Sequence, residues 1–162
     1  MTTSIIGLLD SDPLAATLAE KSGFEKIPLD LHRFPDGEWR IRLLGKPDEN
    51  VVLVCSLDQP NDKTVALVLL CGLLRDMGVK HITLVTPYLA YMRQDVAFNP
   101  GEGVSARYFA RLLSGLVDRL ITIDPHLHRI AALEEVYSIP CVTLHAAPLL
   151  GEWVRDNLSG IA

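Results

Sequence analysis

Short unbroken apolar runs recur along the chain at Ser4–Leu9, Val51–Cys55, His81–Val85 and Leu120–Ile123, and each stops at polar or turn residues. Runs of that length without polar alternation are expected of strands covered on both faces. A second strand is expected over about Glu25–Leu31 and a short one over Pro140–Leu144. Trp39–Leu43 instead alternates with period two, as a half-exposed strand does. Between these runs the spacing predicts helices. The first begins after Ser11 or Asp12, with Pro13 in its first turn, and closes at Gly23. The second is capped by Asn61 or Asp62 and runs to about Met77, ahead of Gly78. The third is capped by Ser105 and runs to Leu116, with Tyr108, Phe109, Leu112, Leu113 and Leu116 on one face and Arg107, Arg111 and Ser114 opposite. A short helix is expected from His128 to about Tyr137, and a last one over Pro148–Leu158, stopping at Ser159-Gly160.

Strands that alternate with helices from Val51 onward imply an α/β fold, a mainly parallel sheet with helices on both faces. Ligands collect at the carboxyl ends of the strands in such sheets. Three ends are expected on one edge: Ser56–Gln59, Pro87–Asp95 and Pro125–His128. The connection Pro87–Gly103 is long for a βα loop, and such loops are usually functional or mobile.

Composition narrows the function. With 162 residues the chain has the length of one domain, and a net charge of −5 argues against a nucleic-acid-binding face. The three cysteines lie in apolar runs without Cys-x-x-Cys spacing, which suits buried thiols better than disulfides or zinc. No signal-peptide pattern opens the chain, and the apolar run Val65–Leu74 is about half the length of a bilayer span. A cytoplasmic protein with no membrane partner is expected.

The richest stretch is Thr86-Pro-Tyr-Leu-Ala-Tyr-Met-Arg-Gln-Asp95. Arg93 can bind phosphate bidentately or stack on a flat ring, and Gln94 can read an adenine edge. The plain alternative is an Arg93–Asp95 surface ion pair. Asp124, His126 and His128 alternate, so an extended segment would aim them to one side as a metal cluster. Alternatively, Asp124 caps the helix that follows, and His126 stands beside a phosphate or serves as one ligand of a hydrated divalent ion. Phe34, Asp36 and Glu38 surround a tight Pro-Asp-Gly turn. There is no Walker loop, no Gly-x-Gly-x-x-Gly after a strand, and no marked Ser-His-Asp or Cys-His arrangement.

Three segments together resemble the N-terminal half of ribose-phosphate pyrophosphokinase, also called phosphoribosyl pyrophosphate synthetase. They are Arg33-Phe-Pro-Asp-Gly-Glu38, Pro87-Tyr-Leu-Ala-Tyr-Met-Arg-Gln-Asp95 and Ile123-Asp-Pro-His126; Pro100–Arg107 is similar to a stretch of the family's shorter members. The resemblance implies a phosphoribosyltransferase-like fold. It implies transfer of the pyrophosphoryl group of Mg-ATP to ribose 5-phosphate, giving phosphoribosyl pyrophosphate and AMP. Phe34, Asp36 and Glu38 match the loop that reaches into a neighbouring subunit and holds adenine, which implies a homo-oligomer. Arg93 and Gln94 match an ATP-contacting pair, and His126 matches a histidine that helps hold Mg2+ (the cofactor expected with ATP). Val96 stands where the family usually carries a basic residue.

The family's second domain supplies the catalytic loop and the ribose 5-phosphate site. No two acidic residues followed by Thr-Gly or Ser-Gly occur in this sequence. Residues 1–162 are therefore expected to be the ATP-binding-type domain, with no catalytic residue of its own and inactive alone. The alternatives are a non-catalytic regulatory relative and a free-standing nucleotide-binding module.

Overall fold

The structure, a computed structural model, describes residues 2–158. Six parallel strands form the main sheet: β1 (Thr3–Gly7), β2 (Glu25–Lys26), β5 (Asn50–Val54), β6 (His81–Thr86), β7 (Arg119–Ile123) and β8 (Cys141–Leu144), in the order β2-β1-β5-β6-β7-β8. The expected α/β architecture is what forms. Val51 lies opposite Ile82, and Leu84 opposite Leu120, so the most apolar runs occupy the middle of the sheet.

Strand alternation sends side chains to two different layers. Ile5 and Val54 face α1 (Asp12–Ser22) and pack with Ala15. Ile6, Leu53, Ile82, Leu84 and Leu120 face the larger layer, built by α2 (Pro60–Asp76) and α3 (Ser105–Leu116). Gly7 is required where α1 begins: a Cβ there would lie 2.5 Å from Asp12 Cα and 2.8 Å from Ala15 Cβ. At the other end of α1, Gly23 takes the left-handed conformation and donates to Ala19 O.

The strand expected over Glu25–Leu31 divides. Glu25 and Lys26 pair with β1, and after Ile27-Pro28 the chain leaves the sheet. Pro28 has no N–H to continue a ladder. β3 (Leu29–Arg33) then pairs antiparallel with β4 (Trp39–Leu43) as a separate hairpin. Phe34–Glu38 forms its tip, and Arg33 ties it to α2 through Asp62 at 2.9 Å.

Three other expectations are corrected. No α-helix follows His128; residues 124–140 are irregular apart from a single 3-10 turn, Leu133–Glu135. The expected side-chain caps of α1, α2 and α3 are not made, and α2 begins earlier, at Pro60 after Gln59. The buried face of α3 is Ala106, Phe109, Ala110 and Leu113, with Tyr108 and Leu112 turned outward. Ala106, Phe109, Ala110 and Leu113 recur at three- and four-residue spacing and form the stripe that faces the core, and Tyr108 and Leu112 lie off that stripe.

The last helix, α4 (Ala147–Leu158), buries none of its residues. Its Leu149, Leu150 and Trp153 are exposed, as are Ile123, Val142 and Leu144 on β7 and β8. An apolar surface at this edge of the sheet is thus left uncovered. The expected helix stop at Ser159-Gly160 lies outside the described residues. No helix among the described residues is long and apolar enough to cross a membrane.

Candidate functional site

The carboxyl edge of the sheet concentrates unusual backbone. Among the described residues, the non-glycine positions with positive φ are Leu9 (55°), Gln59 (52°), Tyr91 (61°) and Asp124 (41°). They follow β1, β5, β6 and β7 in turn, all on that edge. Left-handed conformations cost free energy for residues with a Cβ, and they persist where surrounding contacts hold them. Their clustering on one edge makes it the candidate functional face.

Sheet order reverses between β1 and β5, and there an ion-pair network bridges the two loops beside a cavity of about 450 Å³ lined by Leu9, Trp39, Gln59, Pro60 and Lys63. Lys63, 8% exposed, reaches from α2 to donate to Asp10 Oδ2 and Asp58 Oδ1, each at 2.8 Å. Burial opposes the lysine's charge, but the two carboxylates outweigh it and raise its pKa. The Lys63 hydrogen bond in turn holds Asp58 below the usual carboxylate range. More open space lies further along the edge, over β5, β6 and β7.

Two cavities occupy that space. One, about 590 Å³, is lined by Asp58, Gln59, Pro60, Tyr88, Ala90, Tyr91, Arg93, Gln94 and Ser105. The other, about 400 Å³, lies between the β6 and β7 loops; Tyr88, Leu89, Met92 and Arg93 face Asp124, His126 and His128 across it. Arg93 lines both. The sequence-identified Arg93, Gln94 and His126 are therefore gathered along one edge, and Arg93 and His126 share a cavity. Parallel strands explain this: adjacent βα units deliver their loops to the same end.

Each wall is anchored. Leu89 and Met92 are buried in the core, and Leu57 N donates to Tyr88 O at 3.0 Å, joining the β5 and β6 loops. Thr86 Oγ1 donates to Tyr88 O at 2.8 Å, and Tyr91 OH donates to Asn61 Oδ1 at 2.6 Å, tying the loop to α2. Gln94 is held twice by α3: Ser105 Oγ donates to its Oε1 at 2.6 Å, and Ala106 N to its backbone oxygen at 3.1 Å.

The Arg93–Asp95 ion pair considered from sequence does not form. Asp95 is taken by Arg129, whose Nη1 donates to Oδ1 at 2.9 Å and whose backbone N donates to Oδ2 at 3.1 Å. Burial pushes the Asp95 carboxyl up, and the Arg129 hydrogen bond and charge more than reverse it, leaving its pKa lowered. Arg93 is left facing the cavities. Arg129 and Lys63 were not singled out in the sequence, because partners 34 and 53 positions away leave no local pattern.

Asp124 does not cap a helix, nor does it join the two histidines as a metal cluster. Its Oδ2 accepts from Ala146 N at 3.0 Å and its Oδ1 lies 3.0 Å from His145 Nδ1. Those two contacts, the backbone one first, hold its pKa low. His126 and His128 remain as exposed imidazoles with ring centroids 6.0 Å apart. Among the described residues no group of three His, Cys, Asp or Glu side chains is placed to hold a metal ion.

Phe34, Asp36 and Glu38 line neither cavity. Phe34 is exposed and meets His32 edge-on at 4.8 Å, and Asp36 Oδ1 accepts from Glu38 N at 3.2 Å, closing the turn.

Comparison with known proteins follows the same geography. Residues 3–116 match the sequence profile described as the N-terminal domain of ribose phosphate pyrophosphokinase. The ribose-phosphate pyrophosphokinase of Methanopyrus kandleri is 36% identical over 148 residues, covering 91% of this chain and 50% of that protein. Its namesake in Methanobrevibacter smithii is 33% identical over 156 residues, covering 95% and 51%. The chain thus spans about half the length of the curated relatives it matches. The crystal structure of phosphoribosylpyrophosphate synthetase from Mycobacterium smegmatis superposes with a TM-score of 0.83 at 20% identity, over 97% of this chain and 53% of that one. That likeness establishes the shared fold.

Proposed function

This chain belongs to the ribose-phosphate pyrophosphokinase family, and on that footing we propose that it is the nucleotide-binding half of such an enzyme. The observation that carries the reading is the convergence of Arg93 and His126 on one cavity at the carboxyl ends of β6 and β7. Arg93 supplies a planar cation with no competing carboxylate from Asp95, suited to phosphate oxygens or to the face of a base. Gln94 is held in place by Ser105, and its Nε2 offers donors to the nucleotide.

The donor set suits one kind of metal. Asp124 lines the cavity, but its carboxylate is committed to Ala146 and His145, so imidazole nitrogen is what the chain offers. Mg2+ prefers oxygen ligands. It fits here if it arrives on the triphosphate, with His126 as one ligand and phosphate oxygens and water as the rest. The ion would supply neutralisation of phosphate charge. His126 and Arg93 would orient the polyphosphate tail between the two loops.

The reaction is the transfer of the β,γ-pyrophosphoryl group of ATP to the C1 hydroxyl oxygen of ribose 5-phosphate. The bond from the β-phosphorus to the oxygen bridging the α- and β-phosphates breaks, AMP leaves, and the hydroxyl loses its proton. In phosphoryl-type transfers the protein mainly positions the reactants and offsets charge. This chain positions the donor. On this reading the acceptor site and the catalytic loop lie outside this chain, which spans about half the length of its relatives. The uncovered apolar surface of β7, β8 and α4 supports that division, since a second domain would shield it. Phe34, Asp36 and Glu38, on a projecting hairpin outside the cavities, are suited to reach the adenine of a second copy, which makes a homo-oligomer the complete nucleotide site.

Thermal unfolding tests the binding. Mg-ATP at about 100 times its Kd stabilises a folded chain by about 2.7 kcal/mol. The unfolding temperature is expected to rise with Mg-ATP and not with Mg2+ alone. A temperature unmoved by millimolar Mg-ATP would overturn the proposal. Incubation with Mg-ATP and ribose 5-phosphate is expected to give no AMP, and AMP formation would refute the division of labour.

A further inference from the structure

The nucleotide cavity has two walls from different loops, and their connection is narrow. One wall comes from residues 87–103, after β6, and the other from residues 124–132, after β7. Among the described residues, the hydrogen bonds and the ion pair that join these two segments all run between Asp95 and Arg129. Asp95 lies one residue after Gln94 and two after Arg93. Arg129 lies three after His126. The pair is therefore the polar tie between the loops that carry Arg93 and His126, added to the core packing of Leu89, Met92 and Ile130.

The pair is built to be stiff. The Asp95 carboxylate is 1% exposed and receives one donor on each oxygen, from the side chain and the backbone of the same residue. Arg129 also covers the Phe98 ring, with its guanidinium carbon 5.3 Å from the centroid. Phe98 in turn begins a turn organised by Glu102, whose carboxylate accepts from Phe98 N at 2.8 Å, Asn99 N at 3.1 Å and Asn99 Nδ2 at 2.5 Å. Arg129 therefore grips the long loop at two points, one beside the ligand-facing residues and one three residues further on, at Phe98. Arg129 lines neither nucleotide cavity, so its effect runs through these contacts.

We infer that Arg129 is a positioning residue: through Asp95 and Phe98 it clamps the two loops and sets the spacing at which Arg93 and His126 grip a nucleotide polyphosphate. The inference rests on the proposed nucleotide reading for its ligand and on the loop contacts for its mechanics. Losing the side chain leaves Asp95 with the Arg129 backbone donor, so Arg129→Ala keeps one hydrogen bond to the buried carboxylate and the sheet below it intact.

Two measurements on the full chain test it. Amide hydrogen exchange comes first, and it needs no ligand. In Arg129→Ala, exchange across residues 94–103 and 124–131 is expected to quicken at least ten-fold while α2 and the central strands keep their protection. Calorimetry with Mg-ATP comes second. Arg129→Ala is expected to weaken binding about ten-fold with its urea midpoint close to wild type, and Arg129→Lys to recover part of the loss. Unchanged exchange in both loops would overturn the clamp, as would Mg-ATP affinity within two-fold of wild type. If wild type shows no affinity for Mg-ATP, the nucleotide reading fails by itself, and the exchange experiment still decides whether Arg129 holds the loops.

Discussion

Ser105 donates its hydroxyl to Gln94 Oε1 at 2.6 Å, although its place at the start of α3 suggests a helix cap. The hydroxyl instead orients an amide that lines the larger of the two cavities proposed to hold the nucleotide. Ser105→Ala is therefore expected to leave helix stability almost unchanged, since no cap bond is lost. Mg-ATP affinity should fall about five-fold, the equivalent of one hydrogen bond of about 1 kcal/mol. Paired urea titrations and calorimetry separate the two effects; a large stability loss with unchanged affinity would mean the hydroxyl serves the helix.

Gly7 is where α1 lies closest to the sheet. A methyl group there meets Asp12 Cα at 2.5 Å, a backbone atom that cannot step aside alone. Gly7→Ala is expected to destabilise by about 1–3 kcal/mol through overpacking. A shifted urea midpoint with an unchanged slope is the signature to look for.

The cysteines should be quiet. Burial raises Cys55 and Cys71 to about 12 and Cys141 to about 11. Thiolate is the reactive form, so at pH 8 a disulfide reagent should label the folded chain slowly. In urea all three thiols of the sequence should react within the mixing time. Rapid labelling of Cys55 in the folded chain would contradict its place in the core.

Asp118 joins α2 to the amino edge of the sheet. Its Oδ2 accepts from Ile82 N and from Arg75 Nη2, each at 2.7 Å. Partial burial pushes its pKa up, and the Ile82 and Arg75 contacts more than reverse this, leaving it lowered. A lowered folded-state pKa gives stability that is present above the unfolded value, about 3.9, and lost as pH falls through the folded value. Asp118→Asn should cost a few tenths to about 1 kcal/mol at pH 7, after solvent screening. The difference from wild type should shrink as pH falls below the unfolded value and vanish in acid that protonates the folded-state carboxylate. A difference that persists there would assign the effect to packing.

The sheet was legible because β5, β6 and β7 carry apolar residues on both faces, one fully buried through Leu53, Ile82, Leu84 and Leu120 and the other only partly covered, which writes continuous apolar runs into Val51–Cys55, His81–Val85 and Leu120–Ile123. Their shared edge followed from parallel connectivity. The segment after His126 was not legible. Ile130, Leu133 and Tyr137 are buried at helix-like spacing, but the chain there is irregular. Carboxylates take its N–H groups instead: Asp95, from the distant β6 loop, accepts from Arg129 N, and Glu135, within the segment, accepts from Ala131 N. Such acceptors compete with helix carbonyls, and the Asp95 one leaves no mark in a local window. The same distance hid Lys63, whose two carboxylates come from separate loops.

At the centre of the account is the proposal that Arg93 and His126, which line one cavity from its two walls, grip a nucleotide there. Calorimetric titration of the chain with Mg-ATP, repeated with Arg93→Ala and with His126→Ala, tests this most directly. The expected result is a saturable heat for wild type, at least ten-fold weaker affinity for each variant, and no heat with Mg2+ alone. No saturable heat for wild type with millimolar Mg-ATP, or equal affinities across all three proteins, would contradict it.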